Sequence, residues 1–191
     1  MVFKVIYLGF VQRMKILQSS IKDLTKIKTL FNKTFSHSEG KREGKAISDL
    51  VVKMTKLIDD KDILAFHMLD QNKVIAAIFF SHLFYKNTNL NVFVLAPVAT
   101  DPQFQRQGIA KKLIQHGLKK LKKKTDIIVT YGDPKVYQSF GFKPVSEKKL
   151  PACYKLKYPF GWQMIKLKSK KIPQHLTKPN CITPLKNKKY W

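Results

Sequence analysis

Leu95-Ala96-Pro97-Val98-Ala99-Thr100-Asp101-Pro102-Gln103-Phe104-Gln105-Arg106-Gln107-Gly108-Ile109-Ala110 is the stretch on which the fold turns. It joins the end of an apolar strand pattern to the start of a periodic helix. Behind it, Ile109, Leu113, Ile114, Leu118 and Leu121 form one stripe over residues 108–124, with lysines on the other face and in the last turn. A helix opens with amides that lack intrahelical acceptors and together carry roughly half a positive charge. A loop that delivers the chain into such a start through small residues lets the backbone wrap an anion. Gly108 removes a β-carbon from that path, Ala110 keeps the next turn slim, and Arg106, Lys111 and Lys112 add formal charge. The arrangement suits a pyrophosphate. On spacing alone, Gly108 could equally serve only to ease a tight strand-to-helix connection.

Upstream of the loop, residues 14–18 alternate as a first strand, and Ser20-Ile21-Lys22-Asp23 reads as a capping box. Leu24, Ile27, Leu30, Phe31 and Phe35 then keep helical spacing. A polar break is expected over 36–44 and a second helix over 46–57. Three β-like runs follow at 63–69, 74–85 and 90–100, separated by the turn-formers Asp70-Gln71-Asn72 and Asn87-Thr88-Asn89. Pro97 interrupts the third run, since proline cannot donate to a ladder. Downstream, residues 126–131 read as a short buried strand and 135–140 as a short helix ended by Gly141. Residues 154–158 and 163–167 read as a final strand pair. Strand, helix and strand over 90–131 make a parallel crossover. The fold class is therefore α+β, with a mixed, mostly antiparallel central sheet flanked by helices.

The 191 residues hold one domain's worth of chain, and an apolar fraction of 44% with 13 phenylalanines is enough for a core. The domain is expected over 14–168, between an N-terminal extension at 1–13 and a basic, proline-containing tail at 169–191. Cys153 and Cys181 stand apart without partners at ligand spacing, so neither a disulfide framework nor a metal site is expected. The apolar run near the N-terminus is too short to cross a membrane and is followed by no cleavage-site pattern, which favours the cytoplasm. The net charge of +25 attracts polyanions. Residues 111–124 and 166–191 together carry fifteen lysines and no acid. RNA or another polyanion is one expected partner of these clusters; a plain lysine bias is the other reading. Arg13, Arg42 and Arg106 are the only arginines, whereas base-specific sites usually recruit arginine.

The quoted stretch resembles the coenzyme motif of the GNAT superfamily of N-acetyltransferases. The family's Arg/Gln-x-x-Gly-x-Gly/Ala pattern is met by Gln105, Gly108 and Ala110, and the preceding strand is interrupted where the family places a bulge. The resemblance extends to Gly132-Asp133-Pro134 and Tyr137-Gln138-Ser139-Phe140-Gly141-Phe142, and it is nearest to a poorly characterised bacterial branch of predicted acetyltransferases. It implies acetyl-CoA as co-substrate, no metal, and a primary amine as acceptor. Backbone groups of Val98, Ala99 and Thr100 would meet the pantetheine arm. Gln105, Arg106, Gln107, Gly108, Ile109, Ala110 and Lys111 would cradle the pyrophosphate. The splay between the strand ending near Thr100 and the strand at Ile127 would admit the thioester.

In many family members a tyrosine four residues before the Gly-Phe pair protonates the coenzyme sulfur, and Tyr137 holds that position. Its phenol, with an ordinary pKa of about 10, is a proton donor at neutral pH. Packing against the coenzyme is the alternative role. Residues 90–100 contain no Glu or His to act as general base, and His82 on the preceding strand reads as structural. Asp133 stands where the wider family commonly has Asn. Two other readings remain open: an RNA- or ribosome-associated basic protein in which the GNAT-like fold binds CoA without turnover, and an enzyme acting on a ribosomal protein or an aminoacyl-tRNA.

Overall fold

The computed structural model describes residues 14–58 and 61–191; the expected extension at 1–13 lies outside the described residues. One mixed sheet has the strand order β1-β2-β3-β4-β5-β7-β6, with β8 pairing β3. Packing divides the chain into two compact units. One takes the chain through Phe79 together with Pro97–Leu113, and the other takes Phe80–Ala96 and Ile114–Trp191.

In the first unit, β1 (Met14–Gln18) lies antiparallel to β2 (Ile63–Asp70), from Met14 opposite Asp70 to Gln18 opposite Phe66. The expected capping box is present. Ser20 N–H donates to the Asp23 carboxylate at 2.8 Å, and Lys22 N–H donates to Ser20 Oγ at 3.3 Å. A single 3-10 turn follows, and then α1 (Leu24–Glu39), which buries Ile27, Leu30, Phe31 and Thr34. The break expected over 36–44 shrinks to Gly40, whose φ of 93° only glycine adopts cheaply. The polar residues that suggested a longer break, Lys41 and Arg42, are the exposed first turn of α2 (Lys41–Thr55). The hairpin closes tightly because a β-carbon at Gly44 would lie 2.8 Å from the Asn32 carbonyl on α1. Phe31 meets Phe79 edge-on at 5.9 Å, setting α1 against β3 (Lys73–Phe84).

The expected parallel crossover is present, and its paired residues lie in the second unit. β4 (Val92–Thr100) and β5 (Ile127–Tyr131) are joined through α3 (Ile109–Leu121), and they pair in parallel from Val92 opposite Ile127 to Val94 opposite Val129. β4 runs through Pro97, which lies past the last of these pairs, where its missing N–H costs the ladder nothing. The short helix α4 (Pro134–Gln138) leads to β6 (Lys143–Pro144). β7 (Trp162–Lys166) pairs antiparallel with β5 on one side and β6 on the other. That arrangement explains why residues 154–158 form no strand despite their alternation: both edges of β7 are taken.

The basic stretch after Lys168 folds back. β8 (Asn180–Cys181) pairs with Leu83 and Phe84 of β3, and Ile182, Leu185 and Trp191 are buried. The Trp191 ring lies 6.2 Å from that of Trp162, and its indole N–H donates to the Leu185 carbonyl at 3.0 Å. Lys168 and Lys170 reach the buried Asp126 carboxylate at 3.4 Å and 2.8 Å. Cys153 and Cys181 are buried free thiols.

Candidate functional site

The anion loop belongs to the first unit as one continuous device. Asp101 ends β4, and its side chain accepts the Gln103 amide at 3.1 Å, capping a 3-10 turn over Pro102–Phe104. Gln105 then folds back so that its side-chain amide donates to the Thr100 carbonyl at 3.2 Å. Arg106 and Gly108 both take left-handed backbone, at φ 60° and 74°. For arginine that conformation costs on the order of 1–2 kcal/mol, a strain that accumulates where a backbone is held for a purpose. Gln107 donates from its side chain to the Gln103 carbonyl at 3.1 Å. Lys112 N–H bonds the Gly108 carbonyl at 3.0 Å and begins the helical pattern, so the amides ahead of it have no acceptor within α3.

Ile109 is buried and anchors the helix, whereas Gln105, Arg106, Gln107, Gly108 and Lys111 are exposed and Ala110 is half-buried. A β-carbon at Gly108 would meet no protein atom within 4 Å, so packing does not demand this glycine; its torsion does. Along the end of β4, Ala99 and Thr100 are buried and Val98 is half-buried. Thr100 Oγ1 is buried without a hydrogen-bond partner. An orphaned hydroxyl of this kind costs free energy unless something else satisfies it. The residues thus fit the coenzyme that the resemblance implies: a buried polar atom at the strand end, then, past the Gln105 amide that donates to the Pro102 carbonyl at 3.4 Å, amides from Arg106 onward with no acceptor in α3 and cationic side chains beside them.

Tyr137 belongs to the second unit. Asp133 caps α4 by accepting the Lys135 amide at 2.8 Å, which gives this acid a local structural task. After Tyr137 the chain closes as a Schellman motif. Gly141 sits at φ 94°, Gly141 N–H donates to the Gln138 carbonyl at 3.0 Å, and Phe142 N–H donates to the Tyr137 carbonyl at 3.2 Å. The same motif brings Phe142 against Tyr137, rings 5.8 Å apart and edge-on. A tyrosine four residues before Gly-Phe is therefore a geometric pairing: the glycine turns the backbone and the phenylalanine clamps the ring. On the other side, a β-carbon at Gly132 would lie 2.5 Å from Tyr137 Cε2, so only glycine admits the ring there.

Burial pushes the Tyr137 phenol above its ordinary range, and a hydrogen bond with Thr130 opposes that rise. Thr130 Oγ1 also donates to the Leu95 carbonyl at 3.0 Å, tying β5 to β4 by a side chain one residue past the end of their ladder. Thr130 and Asp101 escaped the reading of the sequence, where each looks like an ordinary strand-end residue. The one available signal was polarity flanking an apolar run. His82 stacks on Phe93 at 5.0 Å and lies 4.2 Å from the Phe84 ring. Among the described residues, no cluster of three or more His, Cys, Asp or Glu could hold a metal ion.

Residues 62–144 match the family described as the Acetyltransferase (GNAT) domain. YhbS of Escherichia coli K12, named as an uncharacterized N-acetyltransferase, is 35% identical over 75 residues, which are 39% of this chain and 45% of that protein. The chain thus spans under half the length of the curated relatives it matches. A crystal structure of Escherichia coli YhbS in complex with CoA superposes with a TM-score of 0.67 at 26% identity, covering 82% of each chain. A GNAT family acetyltransferase from Brucella melitensis in complex with acetyl-CoA shares the fold at 23% identity, with a TM-score of 0.63 over 85% of this chain and 94% of that one. The matched stretch contains the strained loop after β4 and Tyr137 with its Gly-Phe clamp, so the residues of this site lie within the part of the chain that is similar to the GNAT acetyltransferase domain.

Proposed function

We propose that this protein is an acyl-CoA-dependent N-acetyltransferase that moves an acetyl group from acetyl-CoA to a primary amine. The observation that carries the reading is the loop after β4. Two left-handed residues, Arg106 and Gly108, deliver unpaired amides and flanking cations to the start of α3, directly after a strand end with an orphaned buried hydroxyl. The CoA complex of the Escherichia coli relative supports the same ligand here.

Acetyl-CoA would supply the activated acyl group, and the chain's own residues hold, polarise and protonate. Val98, Ala99 and Thr100 offer strand backbone groups to the amides of the pantetheine arm, and Thr100 Oγ1 gains a partner there. Amides from Gln105 to Ala110 take the diphosphate, with Arg106 and Lys111 adding charge. A strand amide near Val98 polarises the carbonyl as charge develops on its oxygen. Tyr137, held neutral by burial, gives its proton to the departing thiolate. A cytoplasmic location fits two buried free thiols. The deciding experiment is calorimetry with acetyl-CoA, followed by thiol release against amino acids, peptides, amino sugars and aminoacyl-tRNA. No heat of binding would sink the reading.

One observation favours a second reading. Lys111, Lys112, Lys119, Lys120, Lys122, Lys123 and Lys124 are all exposed on and just after α3. An RNA- or ribosome-associated protein that binds CoA without turnover would use such a face. It predicts RNA affinity that falls steeply with salt, together with coenzyme binding but no thiol release.

A further inference from the structure

Where β4 ends, one carboxylate has more partners than the turn it caps requires. Asp101 is 1% exposed. Lys33 Nζ on α1 lies 2.8 Å and 2.9 Å from its two oxygens, and Lys73 Nζ on β3 lies 2.8 Å from Oδ2. The Gln103 amide alone accounts for the cap, and a neutral asparagine would serve that purpose equally well. The two ammonium groups do something else: they tie the first residue of the loop to a helix and to a neighbouring strand. The backbone repeats these ties. Asp101 N–H donates to the Ile75 carbonyl on β3 at 2.8 Å. Thr34, next to Lys33 on α1, donates to the Thr100 carbonyl at 3.4 Å, and Gln105 reaches the same oxygen at 3.2 Å. Five residues further on, Arg106 holds a left-handed conformation that persists only if the chain is anchored on both sides. α3 is the anchor after it, and Asp101 stands at the anchor before it.

We propose that Asp101 is the positioning residue of the coenzyme loop: held by Lys33 and Lys73, it fixes where the amides of Gln105 to Ala110 point and so sets the affinity for the coenzyme diphosphate without touching it. The proposal rests on the acetyl-CoA reading above. It also makes a prediction opposite in sign to simple electrostatics. Replacing Asp101 by asparagine removes a negative charge beneath an anion site and leaves two lysines uncompensated. By charge alone the diphosphate should then bind more tightly. If Asp101 positions the loop, binding weakens.

The test compares wild type with D101N, which keeps an oxygen for the Gln103 amide, by calorimetry with acetyl-CoA and by steady-state kinetics with acetyl-CoA varied. We expect Kd and KM to rise about tenfold or more, with kcat at saturation within about twofold of wild type. A merely structural role would instead reduce the active fraction, lowering apparent kcat and leaving KM unchanged. If D101N fails to fold, the double variant D101N/K33M removes one uncompensated ammonium, and it too should bind acetyl-CoA more weakly than wild type. Where D101N folds, the full cycle with K33M should give a combined loss of affinity smaller than the sum of the single losses, since both changes cut one tie. Binding by D101N as tight as or tighter than wild type overturns the inference while leaving the acetyltransferase reading intact. Absence of acetyl-CoA binding by wild type removes both.

Discussion

Tyr137 reaches its place through three small facts of backbone geometry: Gly132 makes room for its ring, Gly141 turns the chain behind it, and Phe142 clamps it edge-on. Its raised pKa has a definite sign. The phenol remains protonated beyond its ordinary range, so activity should show no loss from Tyr137 ionisation up to about pH 10. Tyr137→Phe should lower kcat by about a hundredfold, measured as thiol release at saturating acetyl-CoA, with KM for acetyl-CoA little changed. Unchanged turnover would leave Tyr137 a packing residue. Asp101 shows the opposite case. Burial alone would raise its pKa, but Lys33, Lys73 and the Gln103 amide outweigh that and hold it down to about 2. A carboxylate depressed in the folded state contributes stability above its unfolded pKa of about 4, and that stability is lost as pH falls toward about 2. Acid unfolding followed by circular dichroism should therefore be flatter between pH 4 and pH 2 in D101N than in wild type.

The loop after β4 is one element in which spacing and torsion agree. Gly108→Ala places a side chain at φ 74°, which costs roughly 1–2 kcal/mol of backbone strain; calorimetry should find acetyl-CoA affinity down about tenfold even though the new methyl meets no protein atom. Gly141→Ala, at φ 94°, should cost a similar amount of stability in a denaturant titration. Both glycines could be read from the sequence, because they stand at helix ends after polar or amphipathic runs. α3 could be read from its stripe, and the three central strands from their apolar runs. What escaped has a common cause. Gly40 compresses a nine-residue polar stretch into a single hinge, because exposed helix turns are as polar as loops. Residues 154–158 alternate like a strand yet have no free sheet edge to join, which only the topology reveals. Asp101 and Thr130 act on partners dozens of residues away, and no local pattern carries that information.

At the scale of the whole molecule, charge and packing overlap in the C-terminal stretch. Its lysines contribute to a net charge of +25, yet β8 and Trp191 are part of a packed unit. Removing residues 180–191 should therefore lower Tm, and a fall in RNA binding on truncation would report unfolding as readily as a missing binding surface. Replacing Lys119, Lys120 and Lys122–Lys124 by glutamine is the cleaner test. If α3 binds RNA, affinity should drop and the slope of log affinity against log salt should shallow by about 0.7 for each phosphate that is no longer neutralised. The pairing of Trp162 with Trp191 has a further use. These are the chain's only two tryptophans, and both are buried in the second unit. Fluorescence excited at the indole band therefore reports on that unit alone, whereas far-UV ellipticity sums the helices of both units. Denaturant midpoints that coincide would mean the units melt as one cooperative body; midpoints that separate would give each its own stability, read from a single unlabelled sample.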